Sequence, residues 1–314
     1  MISNETPGIS QHNRRNTFEH SQLQNDNKLH HFVEKHQKRY ELVKLERMGK
    51  YPIDATLYIP KNELEGEEKE RNRNWYLDTV ESALQINQEI FKTTLPKMEY
   101  LFINTTEDWN DFQGHNIDSH KIKGDRIKGG ARYPGVLCFT PLGLRTETNF
   151  SSTNTLNETP SEYIKAVLDH ETAHAAIGYK YGLKIAGQNL PGWMGEGVPM
   201  VINKAPLSKP FSFEYKQRLV EFLKDHPDNP PSEEALRTPQ KISTSPFMYN
   251  YGQEFLTWLI QRFGPKKVPD LELKGELDLI LKNGVEGNRF DADKALQKTY
   301  FIGYKQAYQE ATFI

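Results

Sequence analysis

His170-Glu171-Thr172-Ala173-His174 sets two imidazoles four residues apart around a carboxylate. On a helix, side chains at i and i+4 share one face, so both rings can reach a single cation. The glutamate between them is then beside the metal, where a carboxylate can activate a bound water. A second acidic motif, Trp193-Met194-Gly195-Glu196-Gly197, comes after the pair, with residues 175–195 lying between His174 and Glu196. Glu196 is the natural third ligand. Two imidazoles and one carboxylate leave the fourth vertex of a tetrahedral zinc open to water, which is the donor set of a catalytic site. Zinc is favoured over harder cations because imidazole is a borderline-soft ligand, and one ion is expected.

The pattern His-Glu-x-x-His arises by accident in a chain of this length on the order of once in a hundred. Two surface histidines flanking a solvated glutamate would look the same. The segment around the motif separates the two readings. Thr159 is a good N-cap, Pro160 fits the first helical position, Glu162 completes a capping box and Gly182 supplies a terminator. Ile164, Val167, Leu168, Ala175 and Ile177 give this helix an apolar surface to bury. His, Glu and His on a buried face are costly unless a metal or hydrogen-bond partners satisfy them.

Other elements follow from periodicity. Phe32, Val33, Tyr40, Leu42, Val43 and Leu45 predict an amphipathic helix over His31–Met48, stopped by Gly49. Alternation over Tyr51–Ile59 predicts a strand ended by Pro60, and Lys61–Asn74 reads as a charged loop. A helix is predicted over Trp75–Thr94, with strands at Met98–Ile103 and Gly135–Thr140. Thr146–Thr159 reads as a loop. Helices are expected over Phe211–Leu223, Tyr249–Phe263, Val268–Leu281 and Ala292–Phe313. Strands come early and helices late without a βα rhythm, so the fold class is α+β, with a small mixed or antiparallel sheet packed on the active-site helix. The expected division is a disordered polar tail at 1–28, an α+β subdomain at 29–185 and a helical subdomain at 186–314.

Composition narrows the function classes. Lys and Arg number 40 against 42 Asp and Glu, a net charge of −2, so bulk charge gives no reason to expect nucleic acid or an anionic membrane as partner. The single cysteine, Cys138, excludes an intramolecular disulfide and a thiolate zinc finger. No apolar run approaches the ~18 residues that span a bilayer. Met1–Gln24 has no apolar segment of signal-peptide type, so a cytoplasmic location is expected, with non-classical export left open. The oligomeric state is not legible.

His170-Glu171-Thr172-Ala173-His174 followed by Trp193-Met194-Gly195-Glu196-Gly197-Val198-Pro199 resembles the gluzincin metallopeptidases, the M1-type aminopeptidases and related peptidase MA-like proteins. The resemblance implies that His170, His174 and Glu196 bind zinc and that Glu171 is the general base. Tyr249-Asn250-Tyr251-Gly252-Gln253-Glu254-Phe255-Leu256 is similar to the family's downstream element, in which a tyrosine three residues before a glycine donates to the oxyanion. Tyr249 matches that position, and Tyr251 is its rival. The ligand spacing is longer than is usual in the M1 group, and Pro199 stands where that group has a small helix former.

Where the family's aminopeptidases carry a glutamate that holds the substrate's free amine, this chain has Gly129-Gly130-Ala131-Arg132-Tyr133-Pro134-Gly135, without an acidic residue. Gly130, Ala131 and Arg132 remain candidates for pairing with an extended substrate. An endopeptidase acting on a peptide or protein is therefore the expectation. The alternatives are a non-catalytic zinc-binding scaffold for protein interaction and a zinc hydrolase of a non-peptide amide or ester. Asp169, beside the first ligand, is a candidate to orient an imidazole.

Overall fold

A computed structural model describes residues 29–113, 129–132, 135–139, 160–204 and 246–312. The tail at 1–28, the loop at Thr146–Thr159 with its capping residue Thr159, and the helix expected at Phe211–Leu223 lie outside the described residues. The chain divides into two compact units that change over within one helix, between Ala176 and Ile177.

The first unit opens with a short helix, α1, at 29–35. Strands β1 (Tyr40–Arg47), β2 (Ile53–Pro60), β3 (Met98–Ile103), β4 (Gly129–Arg132) and β5 (Gly135–Phe139) form a five-stranded sheet in the order β1-β2-β3-β5-β4. The central pairs β2/β3 and β3/β5 are parallel, and both edge strands run antiparallel to their neighbours. Helices α2 (Lys69–Phe91) and α3 (Thr106–Gln113) belong to this unit. So does α4 (Pro160–Tyr181) up to Ala176. The mixed architecture agrees with an α+β class, although β2-α2-β3 is a parallel crossover that the sequence pattern did not reveal.

Every residue of β3 is buried, as a strand covered on both faces must be. Leu29, Phe32, Tyr40, Tyr58, Leu101, Ile103, Trp109 and Phe112 close one core cluster beneath α1 and α3. Asp108 is buried there and is held by Arg39 Nη1 at 2.6 Å and the Tyr40 hydroxyl at 2.9 Å.

Three expectations are corrected. The helix predicted over His31–Met48 ends at 35, and Tyr40–Arg47 is β1, paired in full antiparallel register with β2 from Tyr40↔Pro60 to Arg47↔Ile53. Tyr40 and Val43 mimic a helical step, but Val43 and Leu45 point inward with period two while Leu42 is exposed. The charged loop at Lys61–Asn74 contains a 3-10 turn at Lys61–Leu64, and α2 already begins at Lys69. Long charged side chains lose little freedom in a helix, so an exposed first turn accepts them.

The helix expected over Ala292–Phe313 is two helices. These are α8 (Ala292–Tyr300) and α9 (Tyr304–Thr312), separated at Phe301, which adopts φ 59°. Asp293 Oδ1 accepts the Tyr304 N–H at 2.8 Å and so caps the restart.

The second unit also contains α5 (Gly192–Lys204), α6 (Pro246–Phe263), α7 (Asp270–Gly284) and the two-residue strands Val285–Glu286 and Arg289–Phe290. Helices α5 and α6 pack along each other. Trp193 is fully buried, its ring 5.3 Å from Phe255 and 5.6 Å from Tyr304. Among the described residues no helix is long and apolar enough to cross a membrane.

Candidate metal centre

Helix α4 runs from Pro160 to Tyr181 and is followed by Gly182 at φ +98°, a left-handed conformation that costs glycine little. Its apolar side chains Ile164, Leu168, Ala173, Ala175, Ala176 and Ile177 are all buried. Two polar clips hold its middle. Asn87 Nδ2 on α2 donates to the Asp169 carbonyl at 3.2 Å, and the Tyr100 hydroxyl on β3 meets Thr172 Oγ1 at 3.2 Å. Burial pushes the Tyr100 hydroxyl far above its usual pKa, so it remains a neutral hydrogen-bonding group. These clips bracket His170 and Glu171, and they fix the rotation of α4 about its own axis.

Past the changeover, Lys180 Nζ reaches both Asp278 oxygens on α7 at 2.8 Å, and the Tyr181 hydroxyl donates to Asp278 Oδ1 at 2.5 Å. The last turn of α4 is thereby tied to α7. Asp278 is buried, so its charge would be costly without these donors.

Within the first turns of α5, Gly195, Gly197 and Pro199 surround Glu196. Glycine costs about 1 kcal/mol and proline about 3 kcal/mol relative to alanine in a helix interior. The helix nonetheless continues through Pro199 to Lys204, with Trp193, Met194, Val198 and Val201 all fully buried. Tertiary packing therefore overrides poor intrinsic propensity at the turn that carries the acidic residue.

His170 Nε2 and His174 Nε2 lie 3.1 Å apart, with the rings inclined at 74°. The candidate ligand atoms of His170, His174 and Glu196 all fall within 4.8 Å of one another. For tetrahedral zinc at ~2.0–2.1 Å from each nitrogen, two nitrogens stand ~3.3 Å apart, so the observed spacing is close to that of a shared ion. Among the described residues this is the one group of three or more His, Cys, Asp or Glu side chains with metal-binding spacing. The donor set fits a single zinc. His170 is buried, while Glu171 and His174 on α4 and Glu196 on α5 are half-buried.

The remaining candidates are placed by backbone alone. Tyr249 and Tyr251 lie in the first two turns of α6, and their side chains fall outside the described residues. Gly130, Ala131 and Arg132 lie on β4, an edge strand of the sheet, opposite Leu137, Val136 and Gly135 of β5. Asp169 is buried, and its carbonyl takes the Asn87 bond. Asn87 and Tyr100 were not singled out by the sequence. A polar residue on an otherwise apolar helix or strand face was the available signal, and it does not name a partner 82 or 72 residues away.

No protein-family model matches the chain, and no curated protein sequence matches it. Among solved structures it is similar to the crystal structure of an aminopeptidase N family protein from Idiomarina loihiensis. The identity is 11% and the TM-score 0.47, with 87% of this chain aligned to 46% of that one. The chain thus spans about half the length of that protein.

Proposed function

We propose that the chain is a zinc-dependent metallopeptidase that hydrolyses internal peptide bonds of a peptide or protein. The observation that carries this reading is the convergence of His170, His174 and Glu196 within 4.8 Å, with Glu171 on the same stretch of helix. A zinc ion held by that triad would supply Lewis acidity, lowering the pKa of water toward ~7 and polarising a carbonyl.

The protein's own groups do the rest. Glu171, one residue after the first ligand and three before the second, accepts the proton of the attacking water and passes it to the departing amine. No covalent intermediate is needed. An extended substrate would add to the outer edge of β4, where backbone groups of Gly130, Ala131 and Arg132 offer strand pairing.

Tyr249 is the proposed donor to the oxyanion. Gly252 of α6 abuts α5 (a Cβ there would lie 2.8 Å from Gly197 Cα) and so marks the side of α6 that faces the Glu196 helix. At 3.6 residues per turn, Tyr249 sits ~60° around the helix from Gly252 and Tyr251 ~100°, which favours Tyr249. Tyr249→Phe should lower kcat on the order of 10²-fold with KM little changed, because the lost bond forms with charge present only in the transition state. Tyr251→Phe should keep kcat within about threefold. The opposite ranking would transfer the role to Tyr251.

The direct test is metal content followed by activity. Purified protein should carry one zinc per chain by elemental analysis, and proteome-derived peptides should be cut internally. Chelation should abolish cleavage and added zinc should restore it. Protein that holds no divalent metal at micromolar zinc would overturn the reading.

A further inference from the structure

We propose that Gly252 is a positioning residue for the third metal ligand: its bare backbone buttresses the helical turn on which Glu196 rides. This rests on the zinc-site reading above and adds the device that sets Glu196 in place.

Helix α5 is weak where it matters. Gly195 and Gly197 flank Glu196, and Pro199 removes the N–H that would bond to the Gly195 carbonyl. A carboxylate ligand on such a turn would wander unless something outside the helix fixes the backbone. Gly252 of α6 is pressed against that turn. A Cβ on Gly252 would run into the Trp193 carbonyl oxygen and come within 2.8 Å of Gly197 Cα. A Cβ on Gly197 would stand 2.7 Å from both the Cα and the carbonyl carbon of Gly252.

Trp193 and Gly197 are i and i+4, the two ends of one turn, and Glu196 lies between them. The contact is backbone on backbone, so no side-chain rotation can relieve an added methyl. Trp193 and Phe255 continue the same face with rings 5.3 Å apart and prevent the helices from sliding. Gly195 has no such neighbour: a Cβ there meets only Leu190 Cβ at 3.8 Å. The close approach is therefore specific to the Gly197–Gly252 pair.

A methyl at Gly252 must push the Trp193–Gly197 turn away from α6 and carry Glu196 with it. Changing an outer-shell hydrogen-bond partner that orients a metal ligand typically alters metal affinity about 10–100-fold, and displacing the turn that carries the ligand should act on the same scale. The test uses full-length protein, stripped of metal and titrated with zinc against a chromophoric chelator well below the melting temperature. Gly252→Ala should bind zinc at least tenfold more weakly than the parent, and its cobalt-substituted absorption spectrum should shift. Gly275→Ala, on α7 where a Cβ meets nothing within 4 Å, should match the parent in both.

A merely structural glycine would lower the melting temperature of the metal-free protein and leave zinc affinity of the folded protein unchanged. Parental affinity in Gly252→Ala overturns the proposal, whatever the melting temperature. Should Gly252→Ala fail to fold, Phe255→Leu loosens the same crossing without adding an atom to the contact. It should weaken zinc about threefold, and parental affinity there overturns the proposal too. Failure of the parent to bind zinc would instead remove the metal-site reading itself.

Discussion

Glu171→Gln should retain one zinc per chain and lose peptide hydrolysis by on the order of 10²–10⁴-fold in kcat. The substitution is nearly isosteric, so the half-buried position on α4 keeps its packing. What changes is basicity. A carboxylate accepts a proton from water and returns it to an amine, and an amide does neither at neutral pH. The Asn87 and Tyr100 clips contact Asp169 and Thr172 rather than Glu171, so α4 should hold its two histidines in place as before.

Two measurements on the same sample decide the matter. Elemental analysis should give equal zinc in parent and variant, and a quenched peptide substrate should report the loss of rate. Equal turnover in both would deprive the mechanism of its base, and a non-catalytic zinc-binding scaffold would become the better reading. Loss of zinc in the variant would mean that Glu171 acts as a ligand.

Much of the candidate site was legible because its geometry is local. Four residues of helix fix the relation of His170 to His174, and the punctuation of that helix could be read directly. Pro160 begins it, and Gly182, at φ +98°, follows its last residue. Strand β3 could be read to the residue because its six apolar or paired positions are bounded by Pro96 and Asn104. Strand β1 was misread because a helical and an alternating spacing overlap in Tyr40–Leu45, and only its pairing with β2 decides between them.

What the sequence could not show is long-range support. Asn87 gripping Asp169 and Gly252 lying on Gly197 are facts about how helices meet. Polar or glycine residues within a helix say that something approaches, without saying what. Pro199 illustrates the same limit. Alone it argues against a continuous helix, yet α5 passes through it because Val198 and Val201 on either side are wholly buried.

Glu196→Ala should have the opposite profile to Glu171→Gln, losing the metal first and the activity as a consequence. Apparent zinc affinities of four-ligand protein sites correspond to about 10–16 kcal/mol, so one ligand of four accounts for roughly 3 kcal/mol, or about 10²-fold in Kd. Two imidazoles 3.1 Å apart would remain, a pair able to hold zinc only weakly. The fold should survive, because Glu196 is half-buried whereas the contacts that hold α5 belong to its fully buried neighbours Trp193, Met194 and Val198.

Competition titration should therefore show zinc binding weakened about 10²-fold or more with an unchanged far-UV circular dichroism spectrum. Glu196→Asp, which keeps the charge but withdraws it by one methylene, should fall between. At saturating zinc the alanine variant should regain little activity, since a vacated third position admits a second water and disturbs the coordination on which the reaction depends. Parental affinity in Glu196→Ala would show that the carboxylate approaches the histidine pair without binding what they bind. The ligand set would then have to be completed by another group.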